Sequence, residues 1–241
     1  MIILGDLVRL SDLEHERALL DEGIALAGEI GVNGLDAVLR SRRAFARANQ
    51  GETEAARRDV AEITPVGLER EGVIMLRLAE AEIERVAGAA ARARSVLLGV
   101  LKETENMGRV VRRQVEPVCY ANLARTAMEL GEPEESWRYA VTAWNGILPG
   151  TEATQAGLVL EVLAEKVLGE SPERAATLLG YAEAVRGLPN EAEPNIVRLR
   201  ARARARLGDA GFAQAYRKGA DTGRADIVSD IGAWLERRAR A

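Results

Sequence analysis

One cysteine, Cys119, and one histidine, His15, are all that these 241 residues hold of the two side chains most used for metal binding and nucleophilic chemistry. A lone cysteine excludes an internal disulfide and fits a reducing cytoplasm. The two together cannot supply the ligands of an ordinary zinc site, and neither a metal nor a cofactor is expected. Aromatic residues make up only 4% of the chain, against 47% hydrophobic residues overall. Burial therefore falls to alanine and leucine, which suits stacked helices far better than a sheet. No segment alternates apolar and polar residues with β-branched enrichment, so no strand is expected. No uncharged apolar run of about 18 residues occurs, which excludes a spanning helix. The start, Met1-Ile2-Ile3-Leu4-Gly5-Asp6, lacks the basic and long apolar regions of a signal peptide. Glycine-rich phosphate loops of either common pattern are also missing.

Charge of one sign is not in excess. With 33 basic and 37 acidic residues the net charge is −4, which gives no global pull toward nucleic acid or anionic membrane. Among the basic residues only Lys102, Lys166 and Lys218 are lysines, a bias that, with the richness in alanine and glycine, matches a GC-rich bacterial genome. Catalysis finds little support. His15 sits in Glu14-His15-Glu16 and reads as a solvated surface histidine. Cys119, beside Val118 and Tyr120, reads as an inert buried thiol. Carboxylate pairs such as Glu80 with Glu84 and Glu132 with Glu135 read as solvated helix faces, with no spacing that singles out an acid–base pair. An enzyme is not expected.

What the chain does have is a repeat. Five times a residue, usually small, is followed twelve positions later by another small one beyond a polar turn: Ala44 with Ala56, Ala81 with Ala93, Ala124 with Ser136, Leu163 with Ala175, and Ala201 with Ala213. In four pairs a glycine stands in the turn, at Gly51, Gly88, Gly131 and Gly208. The period of about 37 to 43 residues predicts stacked helical hairpins. Two helices approach closely only where their facing side chains are short. Helices are predicted over Asp36–Asn49, Val73–Ala87, Ala90–Leu101, Val118–Leu130 and Glu134–Ile147, with Thr53 or Glu52 capping the helix that carries Ala56, Val60 and Ile63. Pro133 suits a helix start, and Pro65, Pro149 and Pro189 end second helices. The turn Gly169-Glu170-Ser171-Pro172 departs from the others by one residue.

These features resemble the tetratricopeptide repeat family, in the alanine pairs, the turn glycines, Tyr120 near its helix start and the trailing prolines. The period is longer than that family's, and few large aromatics fill the packing positions. The resemblance implies an all-α fold, a right-handed α-solenoid of degenerate tetratricopeptide-like hairpins forming one domain over residues 1–241. The repeats fall at about 34–66, 70–103, 114–149, 154–188 and 194–222, with a capping helix at about 225–240. Residues 1–30 form a partial first unit, with Leu4, Leu7 and Leu10 on a short first helix and Leu20, Ile24 and Ala27 on the second. Its truncation and apolar start suggest a fragment whose N-terminal neighbour has been removed.

First helices of such solenoids line the concave surface, so binding is expected there. Groove-facing candidates are Phe45 and Asn49, Glu82 and Arg85, Arg125 and Met128, and Arg198 and Arg202. For Phe45 and Met128, packing between neighbouring hairpins is an equally open reading. Trp144 and Trp234 are expected to fill gaps between repeats. The run Arg198, Arg200, Arg202, Arg204, Arg206 divides over two helix faces. A solvated face paired with acids such as Glu191 and Glu193 explains it better than nucleic-acid contact, and an anion or acidic-peptide site stays open.

The segments Ser171–Arg186 and Leu207–Gly219 are similar to the C-terminal helical-repeat region of large actinobacterial transcriptional regulators of the LuxR/MalT-like and antibiotic-regulatory classes. That resemblance, over roughly residues 170–223, implies a sensor or interaction arm serving an ATPase and a DNA-binding domain that do not lie within these residues. The expected function is a non-catalytic module that receives a protein or peptide segment, or a small effector, in its groove. It would make no direct nucleic-acid or membrane contact, with the oligomeric state open. A structural self-assembly scaffold is the alternative.

Overall fold

The computed structural model describes residues 12–31, 33–64, 68–147 and 153–239. The short helix expected from Leu4, Leu7 and Leu10 lies outside these residues, as do Pro65 and Pro149. Within them the chain is all-α, as its composition suggests: α1 (Leu13–Ile30), α2 (Asn33–Asn49), α3 (Thr53–Ala61), α4 (Arg70–Val86), α5 (Ala90–Thr104), α6 (Arg109–Glu129), α7 (Pro133–Asn145), α8 (Ala153–Val167), α9 (Pro172–Arg186), α10 (Pro194–Ala220, broken at Gly208) and α11 (Arg224–Ala239). Each helix packs chiefly on the next in the chain and the next but one. Among the described residues no helix is long and apolar enough to cross a membrane.

The turn between α2 and α3 explains how a small-residue pair is brought together. Gly51 takes φ +86°, where only a residue without Cβ sits without strain. This lets the N–H of Glu52 donate to the carbonyl of Arg47 at 2.9 Å, closing the helix end in the Schellman manner. The same bond recurs from Ala89 to Glu84 (2.8 Å) and from Glu132 to Ala127 (2.9 Å). Beyond each turn the paired small residues are buried: Ala44 and Ala56, Ala81 and Ala93, Ala124 and Ser136. In the third pair Ser136 Oγ donates to the Ala124 carbonyl at 2.6 Å, so a side chain of this size bridges the two helices. Pro133 starts α7. Ser171 caps α9 by accepting from Arg174 N (3.3 Å), with Pro172 in the first helical turn, which accounts for the shifted turn there.

Three expectations shift. Neither Thr53 nor Glu52 caps α3 with a side chain; Glu52 stands at the cap without such a bond. In the last unit Ala203 and Ala215 are the buried small residues, two positions beyond the expected Ala201 and Ala213, and Ala201 is exposed. Helix α6 begins at Arg109 rather than near Val118 and runs through Pro117. A proline there removes a helix hydrogen bond at a cost of about 3 kcal/mol. Packing offsets that cost: Pro117 is buried, its Cγ only 3.1 Å from where a Cβ on Gly146 would stand.

Burial is unevenly distributed. One continuous core extends from Ala121 on α6 to Leu235 on α11, through Leu160, Leu163, Leu178 and Ile196. Nearer the N-terminus the buried side chains form smaller groups, such as Leu20, Ile24 and Ala27 of α1 against Leu39 of α2. Polar ties supplement them. Asp59, 3% exposed, accepts from Arg43 (2.6 Å) and Arg47 (2.7 Å), joining α3 to α2.

Candidate functional site

Helices α2, α4, α6 and α8, every second one, turn a face toward a common cavity of about 440 Å³. Along α4 the face is Ile74, Met75, Leu78 and Ala79, positions three and four apart that share one side of a helix. Val111, Val115 and Val118 continue it on α6, Phe45 on α2 and Leu158 on α8. This part of the wall is apolar. A volume of this order suits a small molecule.

One end of the cavity is polar. Asn122 and Arg125 of α6, Glu161 of α8, Arg186 at the end of α9, and Asn190 and Glu193 of the following loop stand there. Arg186 Nη2 donates to Glu161 Oε1 at 2.7 Å, with the two side chains only 3% and 2% exposed. Asn190 Nδ2 donates to both Glu161 (3.1 Å) and Glu193 (3.0 Å), and its own oxygen accepts from the Glu193 N–H (3.2 Å). Arg125 Nε donates to Glu165 at 3.0 Å. Gly157 makes the room: a Cβ there would lie 2.8 Å from Arg186 Cζ. Burial raises the pKa of Glu161; Arg186 works against this and the nearby Glu193 charge adds to it. For Arg125, burial opposes the charge, but Glu165 and Glu193 outweigh it and hold the guanidinium protonated.

Two of the eight residues selected from helical register, Phe45 and Arg125, stand in this wall. The other six lie elsewhere. Asn49 donates to the Phe45 carbonyl within α2 (3.1 Å). Glu82 and Arg85 form a bidentate pair (2.9 and 2.6 Å), and Arg85 also reaches Glu129 of α6 at 2.5 Å, so they tie α4 to α6. Met128 is exposed. Arg198, exposed, donates to Asn195 (2.5 Å), and Arg202 is exposed. The rest of the arginine run is largely engaged with its surroundings. Arg200 approaches Glu191 (3.9 Å) and lies over Tyr216. Arg204 covers Phe212, and Arg206 donates to the carbonyls of Leu168 and Gly169. Glu193, expected to face these arginines, instead faces Asn190 in the buried network, because the loop after Gly187 turns it inward.

Of the remaining groups weighed from sequence, His15 is exposed at the start of α1. Trp144 is buried in the main core, and Trp234 meets Trp137 edge-on at 5.8 Å. Arg238 and Lys166 both lie close to the Trp137 ring. Cys119 is buried, and burial, aided by the Glu116 charge, pushes its thiol up to about 12. Its reaction with a disulfide reagent at pH 8 is therefore expected to be about a hundredfold slower in the folded protein than in denaturant. Equal rates would show that the thiol is accessible and ionised. Among the described residues no cluster of three or more histidine, cysteine, aspartate or glutamate side chains is arranged to hold a metal ion.

Glu161, Arg186, Asn190 and Gln155 did not emerge from the sequence reading. One signal was available. Glu161 is the single charge within the apolar stretch from Leu158 to Ala164, and a charge in such a run is buried and needs a partner. Nothing local shows that Arg186 is that partner.

No family model matches the chain, and no curated protein matches it. Among solved structures it is similar to BtubC (BKLC) from P. vanneervenii, with a TM-score of 0.54 and 16% sequence identity, covering 96% of this chain and 93% of that one. At this sequence distance the likeness is one of fold, and it extends over nearly the full length of both chains.

Proposed function

We propose that this chain is a non-catalytic recognition module, a right-handed solenoid of degenerate tetratricopeptide-like hairpins whose first helices enclose a binding cavity. The observation that carries this reading is the wall itself, an apolar face drawn from α2, α4, α6 and α8 with a buried polar network at one end. Few convergent polar groups beside an apolar surface are what a ligand site requires. The repeat pattern, and the likeness of residues 170–223 to regulator arms, support a role as the sensing arm of a cytoplasmic bacterial transcriptional regulator. In that role a small effector or a peptide segment enters the cavity and biases a larger assembly.

Thermal stabilisation by a collection of small amphipathic molecules and peptides tests the reading. Hits should stabilise the native chain and lose that effect in Leu158→Trp and Met75→Trp, which fill the cavity. Hits that stabilise all three proteins equally, or no hits at all, would defeat it. A self-assembly scaffold is a second reading, favoured by the exposed Leu26 and Ile30 on α1. Sedimentation over a range of concentrations separates the two, since a strict monomer removes the scaffold.

A further inference from the structure

The cavity wall is electrically balanced. It carries Glu16, Glu161 and Glu193 against Arg42, Arg125 and Arg186. Arg125 and Arg186 already hold carboxylates, at 3.0 and 2.7 Å. A ligand carboxylate or ammonium placed among them would bring an uncompensated charge into a buried setting, which is strongly unfavourable.

Hydrogen bonding, by contrast, is unbalanced. Arg125 Nη2 and Arg186 Nε are buried donors with no hydrogen-bond partner among the described residues, and Gln155 Oε1 is a buried acceptor in the same condition. Gln155 Nε2 donates to the Gln114 carbonyl at 2.8 Å, which identifies its oxygen as the unused atom. Gln114 stands about three turns before Arg125 on α6, so Gln155 belongs to another part of the wall. Buried polar atoms in native proteins nearly always have partners, so the two open arginine donors at the polar end of the cavity mark a place where a ligand acceptor completes the set. Arg125 and Arg186 belong to one end of the cavity, since both bear electrostatically on Glu161.

We propose that the cavity binds an uncharged amphipathic molecule. Its apolar body lies against Phe45, Met75, Leu78, Val115 and Leu158. Its head is a neutral hydrogen-bond acceptor, such as an amide or ketone carbonyl, set between Arg125 and Arg186 and accepting from the two guanidinium N–H groups. This assignment rests on the recognition reading above and narrows it to one ligand class.

Octanamide, octanoate and octylammonium share one apolar body and differ in the head, so calorimetric titration of the full chain with each tests the proposal. Octanamide should bind about tenfold more tightly than either charged probe, because a neutral head fills the open hydrogen bonds without adding charge. In Arg125→Met that preference should fall to within about threefold. Arg125→Lys, which keeps a cation beside Glu165 but lacks the second guanidinium N–H, carries the same expectation if the methionine variant does not fold. Tighter binding of octanoate would make this an anion site and overturn the proposal. Equal affinities would mean that water satisfies the open groups, and would overturn it too, as would failure of all three probes to bind. Cavity-dependent hits in the stabilisation screen, together with no head-group preference here, would sink this inference and leave the recognition module standing. A screen without cavity-dependent hits would sink both.

Discussion

Replacing Gly180 with valine is expected to destabilise the protein by about 3 kcal/mol or more, the upper range for overpacking a tight interior. Helices α9 and α10 cross at Gly180 and Gly219 with their backbones in contact. A Cβ on Gly180 would fall on the Tyr216 carbonyl and lie 2.7 Å from Ala220 N, and one on Gly219 would lie 3.0 Å from Gly180 Cα. No side chain can rotate away, so the two helices must separate, and the α9–α10 seam belongs to the continuous core. Gly99 supplies the opposite case. It lies within α5 with nothing near its missing Cβ, so Gly99→Ala should stabilise by about 0.5–1 kcal/mol through chain entropy and helix propensity. Urea unfolding of both variants measures the contrast. A Gly180→Val midpoint equal to that of the native chain would show that the crossing relaxes freely.

Arg186→Leu is expected to cost about 3–5 kcal/mol, the usual consequence of removing one member of a buried ion pair. Arg186 is the cation hydrogen-bonded to Glu161, which also lies within the influence of Glu193. Without the guanidinium, two buried carboxylates share the Asn190 amide with that charge gone. The double variant Arg186→Leu, Glu161→Leu should recover most of the loss, because replacing a whole buried pair with apolar groups is often neutral. Denaturant titration of the single and double variants forms the cycle. If the double variant is as unstable as the single, packing around the arginine stem, rather than stranded charge, is the cause.

These two sites mark what could and could not be read along the chain. Pairs twelve residues apart, with a glycine between them, act within one turn. Gly51, Gly88 and Gly131 reach positive φ because local sterics and a helix end are sufficient to require it. Ala44 with Ala56 and Ala124 with Ser136 were legible for the same reason. In the last unit the expected turn glycine, Gly208, does break α10 at φ 70°, ψ 164°, but the register of the small pair was not legible, because packing on α9 selects Ala203 and Ala215. Helix α6 passes through Pro117 because a neighbour's missing side chain accommodates the ring, a fact held in Gly146 and invisible at position 117.

The site divides in the same way. Phe45 and Arg125 follow from the rule that first helices face inward, whereas Glu82, Arg85 and Met128 sit on the same helices at registers that packing turns elsewhere. Glu161 and Arg186 stand 25 residues apart and meet only because Gly157 leaves space for the guanidinium. By itself the sequence determined the all-α class and the turns at Gly51, Gly88 and Gly131, since hydrogen bonds and left-handed glycines act over a few residues. Only the tertiary structure decided which faces enclose the cavity and which charges are buried together. Those contacts join helices distant in sequence, and their energies depend on packing and desolvation that no local pattern contains.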